Sequence, residues 1–168
     1  LAPGRLLVVG AGRGHDAREF ARHGFEVTAV DFAAEAVEAM ARLADPAAPV
    51  EIVQADIFDL PPAFDYAFDV LLEYTCFCAI DPARRGEYAD MAARVLKPGG
   101  TYVALFFPLF FPLDGHAGGP PFAVAEAEVL ALFGARGFKL LRSERPEDSV
   151  AQRQGMEVLM IFKAPGEG

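Results

Sequence analysis

Apolar and polar positions follow two rhythms along the chain. Short apolar runs at 5–10 (RLLVVG), 25–31 (FEVTAVD), 50–56 (VEIVQAD), 67–74 (AFDVLLEY) and 101–107 (TYVALFF) read as buried strands. Between them lie helical patterns: a short one from His15 closed by Gly24, an Ala-rich one at 33–44 ending before Pro46, and one at 82–96 with Pro82 in its first turn and KPGG as its stop. A fourth helix is expected at 123–137. Strands at 138–145 and 155–163 close the chain. About ten residues join these two, too few for a crossover helix, so they form an antiparallel hairpin. The expected fold is α/β: a Rossmann-like, doubly wound, mostly parallel seven-stranded sheet with helices on both faces and a C-terminal antiparallel hairpin. No repeat and no boundary interrupts it, so 1–168 reads as a single domain.

Composition narrows the partners. With 53% hydrophobic residues and a mean hydropathy of +0.24, the chain has the means to bury a core. A net charge of −9 argues against nucleic acid, which needs a basic footprint; the Lys and Arg residues are scattered, with only short pairs such as Arg84–Arg85. The longest apolar stretch, TYVALFFPLFFPL, is cut by Pro108 and Pro112, so no membrane span is expected. No signal peptide is visible, and the chain enters a strand soon after Leu1, as though an N-terminal segment were missing. Cys76 and Cys78 would share one face of an extended segment, a poor geometry for a disulfide, and fit two buried thiols in a reducing, cytoplasmic setting. His15, His23 and His116 have no zinc-like spacing with them, so no metal is expected.

The chemistry concentrates in VVGAGRGHDA (8–17). Gly10 and Gly12 match the first two positions of the dinucleotide fingerprint G-x-G-x-x-G, but His15 occupies the third and the last glycine comes one residue early, at Gly14. Asp31 ends the second strand about twenty positions on, where a carboxylate takes ribose hydroxyls; capping the helix that follows is the other reading. Asp56 ends the third strand, where it is either a turn residue or an acceptor. Asp16 reads as a first-turn acid of its helix.

The G-x-G-x-G spacing resembles motif I of the class I S-adenosylmethionine-dependent methyltransferases. A narrower resemblance follows from EYTCFCAIDP (73–82), LKPGG (96–100) and DGHAGGPPF (114–122), together with the absence of an acid at Val8. In that order they look like the thiopurine methyltransferase-like branch, closest to its thiol and halide methyltransferases. The resemblance implies S-adenosylmethionine as cofactor, held by Gly10, Gly12, Gly14, Asp31, Phe32, Asp56, Ile57, Glu73 and Tyr74. It implies a small-molecule acceptor bound near Thr75, Phe77 and the 114–122 loop, and a tryptophan-containing N-terminal segment that covers the cofactor in the branch and is expected to be missing here. Methyl transfer to a soft nucleophile, a thiol or thiopurine, is the expected reaction. A small-molecule O- or N-methyltransferase and a non-catalytic S-adenosylmethionine-binding module are the alternatives.

A thiolate needs no strong base, which suits a site rich in Phe and poor in His. Phe106, Phe107, Phe110, Phe111 and Phe122 are candidate pocket walls, with core packing the other reading for the first two. His116 is the one candidate base or anion partner. Phe122 stands where the branch often has Tyr, so no step is expected to need a phenol there. Oligomeric state leaves no trace in the sequence.

Overall fold

The computed structural model describes residues 1–110 and 118–166. Strands β1 (Arg5–Val9), β2 (Glu26–Asp31), β3 (Val50–Gln54), β4 (Phe68–Tyr74), β5 (Leu96–Phe106), β6 (Lys139–Glu144) and β7 (Val158–Lys163) form one sheet in the order β3-β2-β1-β4-β5-β7-β6. The pairs among β1 to β5 are parallel, and β7 runs antiparallel to both β5 and β6. The expected hairpin is present, and its second strand is inserted between β5 and β6.

Strand alternation sorts the core into two layers. Leu7, Val9 and Leu71 face one side with Tyr88, Val95, Phe133 and Phe162; Leu6, Val8 and Val70 face the other with Ala17, Phe25 and Met40. Helices α1 (His15–Arg22) and α2 (Ala34–Arg42) cover the second layer, and α3 (Arg85–Val95) and α4 (Glu126–Gly134) cover the first. Tyr102 sits fully buried in an aromatic cluster, its ring 4.8 Å from Phe133 and 5.9 Å from Phe162 between centroids. No helix among the described residues is long and apolar enough to cross a membrane.

Two local expectations are corrected. The KPGG stop ends α3 but does not delay the next strand. Leu96, buried against the sheet, already pairs with Phe68; the register then jumps so that Thr101 pairs with Val70. The intervening residues bulge outward, held by Lys97 Nζ on Asp69 Oδ1 at 2.7 Å and by the Gly99 N–H on the Pro165 carbonyl at 2.9 Å. Cys76 and Cys78 do not lie on extended chain either. Past Tyr74 the backbone turns sharply at Thr75 (φ 62°) into a 3₁₀ turn at Phe77–Ala79, leaving Cys78 buried and Cys76 half-buried, both as free thiols.

Candidate active site

The chain moves outward from β1 through β2 to β3 and then crosses to β4 on the other side of β1. Such a reversal opens a crevice at the carboxyl ends of the two central strands. Gly10 leaves β1 there, and the Thr75–Phe77 turn leaves β4. The two segments touch: a Cβ on Gly10 would stand 2.8 Å from Cys76 Cβ. Gly12 (φ 54°) faces open space, so its backbone is accessible from the crevice. Gly14 has another task. It caps α1 in a left-handed conformation (φ 70°), and a side chain there would meet Met40 Cγ at 2.8 Å, so the early third glycine both turns the chain and lets α1 pack onto α2. Beneath the loop, Arg18 Nη1 donates to the Arg13 carbonyl at 2.8 Å.

Asp31 is built into this loop. Its Oδ2 accepts the Gly12 N–H at 2.8 Å and its Oδ1 accepts the Ala33 N–H at 3.0 Å. The latter bond is an Asx turn ahead of α2, whose N-cap position is Ala33. Each oxygen keeps a lone pair for a further donor, an arrangement suited to a vicinal diol. Asp56, at the end of the third parallel unit, accepts the Phe58 N–H with Oδ1 at 2.9 Å, and its Oδ2 has no partner among the described residues. Gly10, Asp31, Phe32, Asp56, Ile57 and Thr75 line one cavity of about 430 Å³, with Phe58 and Arg84 on its rim. The Arg84 guanidinium lies 3.7 Å over the Phe58 ring, bridging the two sides of that rim. Phe32 is 77% exposed, an apolar ring free to be covered by a ligand. The residues present therefore fit an adenosine: acceptors for a diol, an acceptor for an exocyclic amine, and an apolar wall at Ile57.

Thr75 and Ala79 also line a second cavity, of about 270 Å³, with Cys78, Phe107, Pro120, Pro121 and Arg153. Arg153 stands over the Phe107 ring at 4.5 Å and the Tyr74 ring at 5.2 Å. Its Nη1 donates to Tyr74 Oη at 2.5 Å and lies 3.5 Å from Oε1 of the buried Glu157, which Ser149 Oγ braces at 2.7 Å. Five N–H groups on a guanidinium exceed these partners, so the cation is both fixed and available. Burial pushes the Cys78 thiol up to about 11, leaving it neutral at physiological pH.

The expected site residues are distributed unevenly. Gly10, Asp31, Phe32, Asp56 and Ile57 converge on one cavity, and Thr75 joins it to the second. Asp16 sits in the first turn of α1 and makes no side-chain cap. Glu73 is fully buried: its side chain points into the core, where Oε1 accepts the N–H groups of Cys76 and Phe77 and Oε2 accepts the Tyr88 hydroxyl. Tyr74 lies beside Arg153, away from the larger cavity. Phe77 and Phe106 are buried core residues, whereas Phe107 lines the second cavity and Phe110 is exposed. Phe122 is half-buried against Gly119, and its N–H donates to the Cys78 carbonyl at 2.7 Å. His116 and Phe111 fall outside the described residues. Arg153 escaped the sequence reading because it sits in the hairpin connection, a segment with no periodicity and no motif.

This fold, with a glycine turn after β1 and an acid ending β2 at the switch point, is that of an S-adenosylmethionine-dependent methyltransferase. The chain belongs to the thiopurine S-methyltransferase family, whose model matches residues 1–164. It is 33% identical over 166 residues to a probable thiol methyltransferase 2 of Arabidopsis thaliana, covering 97% of this chain and 71% of that protein. It is 34% identical over 163 residues to thiocyanate methyltransferase 1 of Brassica oleracea, covering 95% and 70%. Among solved structures it resembles the 1,6-didemethyltoxoflavin-N1-methyltransferase of Burkholderia thailandensis, crystallised with S-adenosylhomocysteine, at a TM-score of 0.77 and 26% identity over 97% of this chain and 72% of that one. The protein is an enzyme that uses S-adenosylmethionine as methyl donor.

Proposed function

We propose that the methyl acceptor is a small, soft, anionic nucleophile, a thiolate foremost, bound in the cavity that Arg153 faces. The reading rests on one observation: the adenosine-fitting cavity and the Arg153 cavity share the wall formed by Thr75 and Ala79. A ligand in one can meet a ligand in the other across that wall. When bound, the cofactor supplies an electrophilic methyl group on a sulfonium, open to in-line displacement. The chain's own residues then have three tasks. Asp31 holds the ribose and Asp56 the adenine, Phe32 and Ile57 cover the base, and Gly10 and Gly12 let the backbone approach. Phe107, Pro120 and Pro121 exclude water from the acceptor. Arg153 attracts the anion and lowers the pKa of a bound thiol.

The described part of the second cavity holds no group suited to act as a base near neutral pH. Thr75, Cys78 and Arg153 are its polar side chains, and the Cys78 thiol is held neutral. An acceptor that arrives already ionised needs none; an alcohol or a protonated amine does. The names of the relatives, thiol and thiocyanate methyltransferases, agree with this chemistry. We also read the chain as one domain acting in a reducing, cytoplasmic compartment, with His116 and Phe122 bordering the acceptor through the 114–122 loop.

The test is an acceptor series with methyl-labelled cofactor: bisulfide, thiocyanate, an aromatic thiol, an aliphatic thiol, a catechol and a primary amine. Turnover should follow the anionic fraction of the sulfur acceptors across pH 6 to 9. Faster methylation of the catechol or the amine would replace this reading with an O- or N-methyltransferase. Binding of S-adenosylhomocysteine without turnover on any acceptor would make the chain a binding module.

A further inference from the structure

We propose that Glu73 is a positioning residue: its buried carboxyl sets the Thr75–Phe77 turn, which places Thr75 in the wall shared by the cofactor and acceptor cavities. The inference rests on the reading of those two cavities given above. Three facts carry it. Glu73 is the next-to-last residue of β4 and has no exposed surface, and one of its oxygens, Oε1, accepts from two successive turn amides, Cys76 at 3.1 Å and Phe77 at 3.0 Å. That grip spans Thr75, whose left-handed backbone is costly for a β-branched residue and persists only where its surroundings enforce it. Two residues of this turn face the ligands: Thr75, inside the grip, lines both cavities, and Cys76 lines the larger one while packing against Gly10.

The other oxygen anchors the carboxyl from behind. Oε2 accepts from Tyr88 Oη of α3 at 3.1 Å, and the Tyr102 hydroxyl of β5 donates to Tyr88 Oη at 3.5 Å. The titratable groups around Glu73 are therefore Tyr88, Tyr102, Cys76 and Cys78, and burial raises all four, keeping them neutral. No cation lies within ion-pair distance among the described residues. The carboxyl itself is pushed up to about 7 by desolvation. When it takes a proton, Oε2 is the oxygen that carries it, because Oε1 is filled by the two amides, and a protonated Oε2 donates to Tyr88. A glutamine reproduces that neutral pattern: Oε1 keeps both amides and the NH₂ faces Tyr88.

Glu73→Gln and Glu73→Ala separate positioning from mere support of the fold. Two readouts are needed, amide hydrogen exchange of Cys76 and Phe77 without ligand, and calorimetric affinity for S-adenosylhomocysteine, both well below each variant's Tm. The Ala variant should lose protection at those two amides and bind S-adenosylhomocysteine roughly three- to tenfold more weakly, the size of one neutral hydrogen bond lost from the turn. The Gln variant should stay close to wild type in both. If Glu73→Ala does not fold, Tyr88→Phe removes only the rear anchor and should give the same change in milder form. Unchanged exchange in the Ala variant, or in Tyr88→Phe where that one is used, would overturn the inference. So would increased exchange with unaltered affinity. Failure of the wild-type protein to bind S-adenosylhomocysteine would instead strike the reading of the larger cavity.

Discussion

The backbone N–H of Gly12 donates to Asp31 Oδ2 at 2.8 Å, so the glycine loop after β1 and the acid ending β2 form one rigid unit. Asp31 then organises the loop and still presents a lone pair on each oxygen to a ligand. Asp31→Ala should weaken S-adenosylhomocysteine binding about ten- to a hundredfold and cost about 1 kcal/mol of stability through the lost Gly12 and Ala33 bonds. Asp31→Asn, which keeps one acceptor oxygen, should fall between. Calorimetric titration and urea unfolding measure the two effects. Unchanged affinity in the Ala variant removes the ribose role.

Gly14 is left-handed (φ 70°) and packs against Met40, and both its backbone and this contact favour glycine there. Gly14→Ala should destabilise by about 1–3 kcal/mol, because the new methyl strains the left-handed backbone and crowds Met40 at the α1–α2 contact. Combined with Met40→Ala, the loss should be smaller than the sum of the two single variants, because the shortened side chain makes room. A double-mutant cycle by thermal or urea unfolding reads this directly. Strict additivity would show that the Met40 contact adds nothing to the cost already set by the left-handed backbone of Gly14.

Most of the fold is legible in the sequence because its signals are local. Apolar runs of strand length, separated by helical patterns, name the parallel sheet, and the short link between β6 and β7 names the hairpin. The site is legible where loop and strand-end positions fix which residues converge, as for Gly10, Asp31 and Asp56. It is not legible where a side chain must choose a direction. Glu73 and Tyr74 are neighbours at the end of β4, and pleating sends one into the core and the other toward Arg153. Arg153 reaches Tyr74 only because the hairpin folds over the ends of β4 and β5, a contact across 79 positions of sequence that no local pattern encodes.

Arg153 gives the acceptor prediction its sharpest form. Arg153→Met keeps much of the apolar stem but removes the charge and the guanidinium that lies over Phe107. The KM for an anionic thiol should rise roughly ten- to a hundredfold, the range for a hydrogen bond to a charged group, while the affinity for S-adenosylhomocysteine stays unchanged. Arg153→Lys should recover part of the loss as a point charge without the planar fork. Steady-state kinetics over a range of thiol concentrations and a cofactor titration give both numbers. An equal fall in cofactor affinity would mean that Arg153 supports the larger cavity and not the acceptor.

Glu73 also makes stability depend on pH, and the sign is set by its surroundings. Desolvation raises its folded-state value from 4.5 to about 7, so the folded protein holds this proton more tightly than the unfolded chain does. Its contribution is fully present below the unfolded value, near 4.5, and is lost as pH rises through about 7. Between those limits wild type should lose stability relative to Glu73→Gln, which stays neutral, by an amount on the order of 3 kcal/mol. The comparison is the difference in urea-unfolding free energy between the two proteins at pH 5, 6, 7 and 8. It should widen upward through this window in favour of the glutamine variant and level off near pH 8. A difference independent of pH would mean that the carboxyl is ionised throughout, held charged by the amides of Cys76 and Phe77 despite its burial.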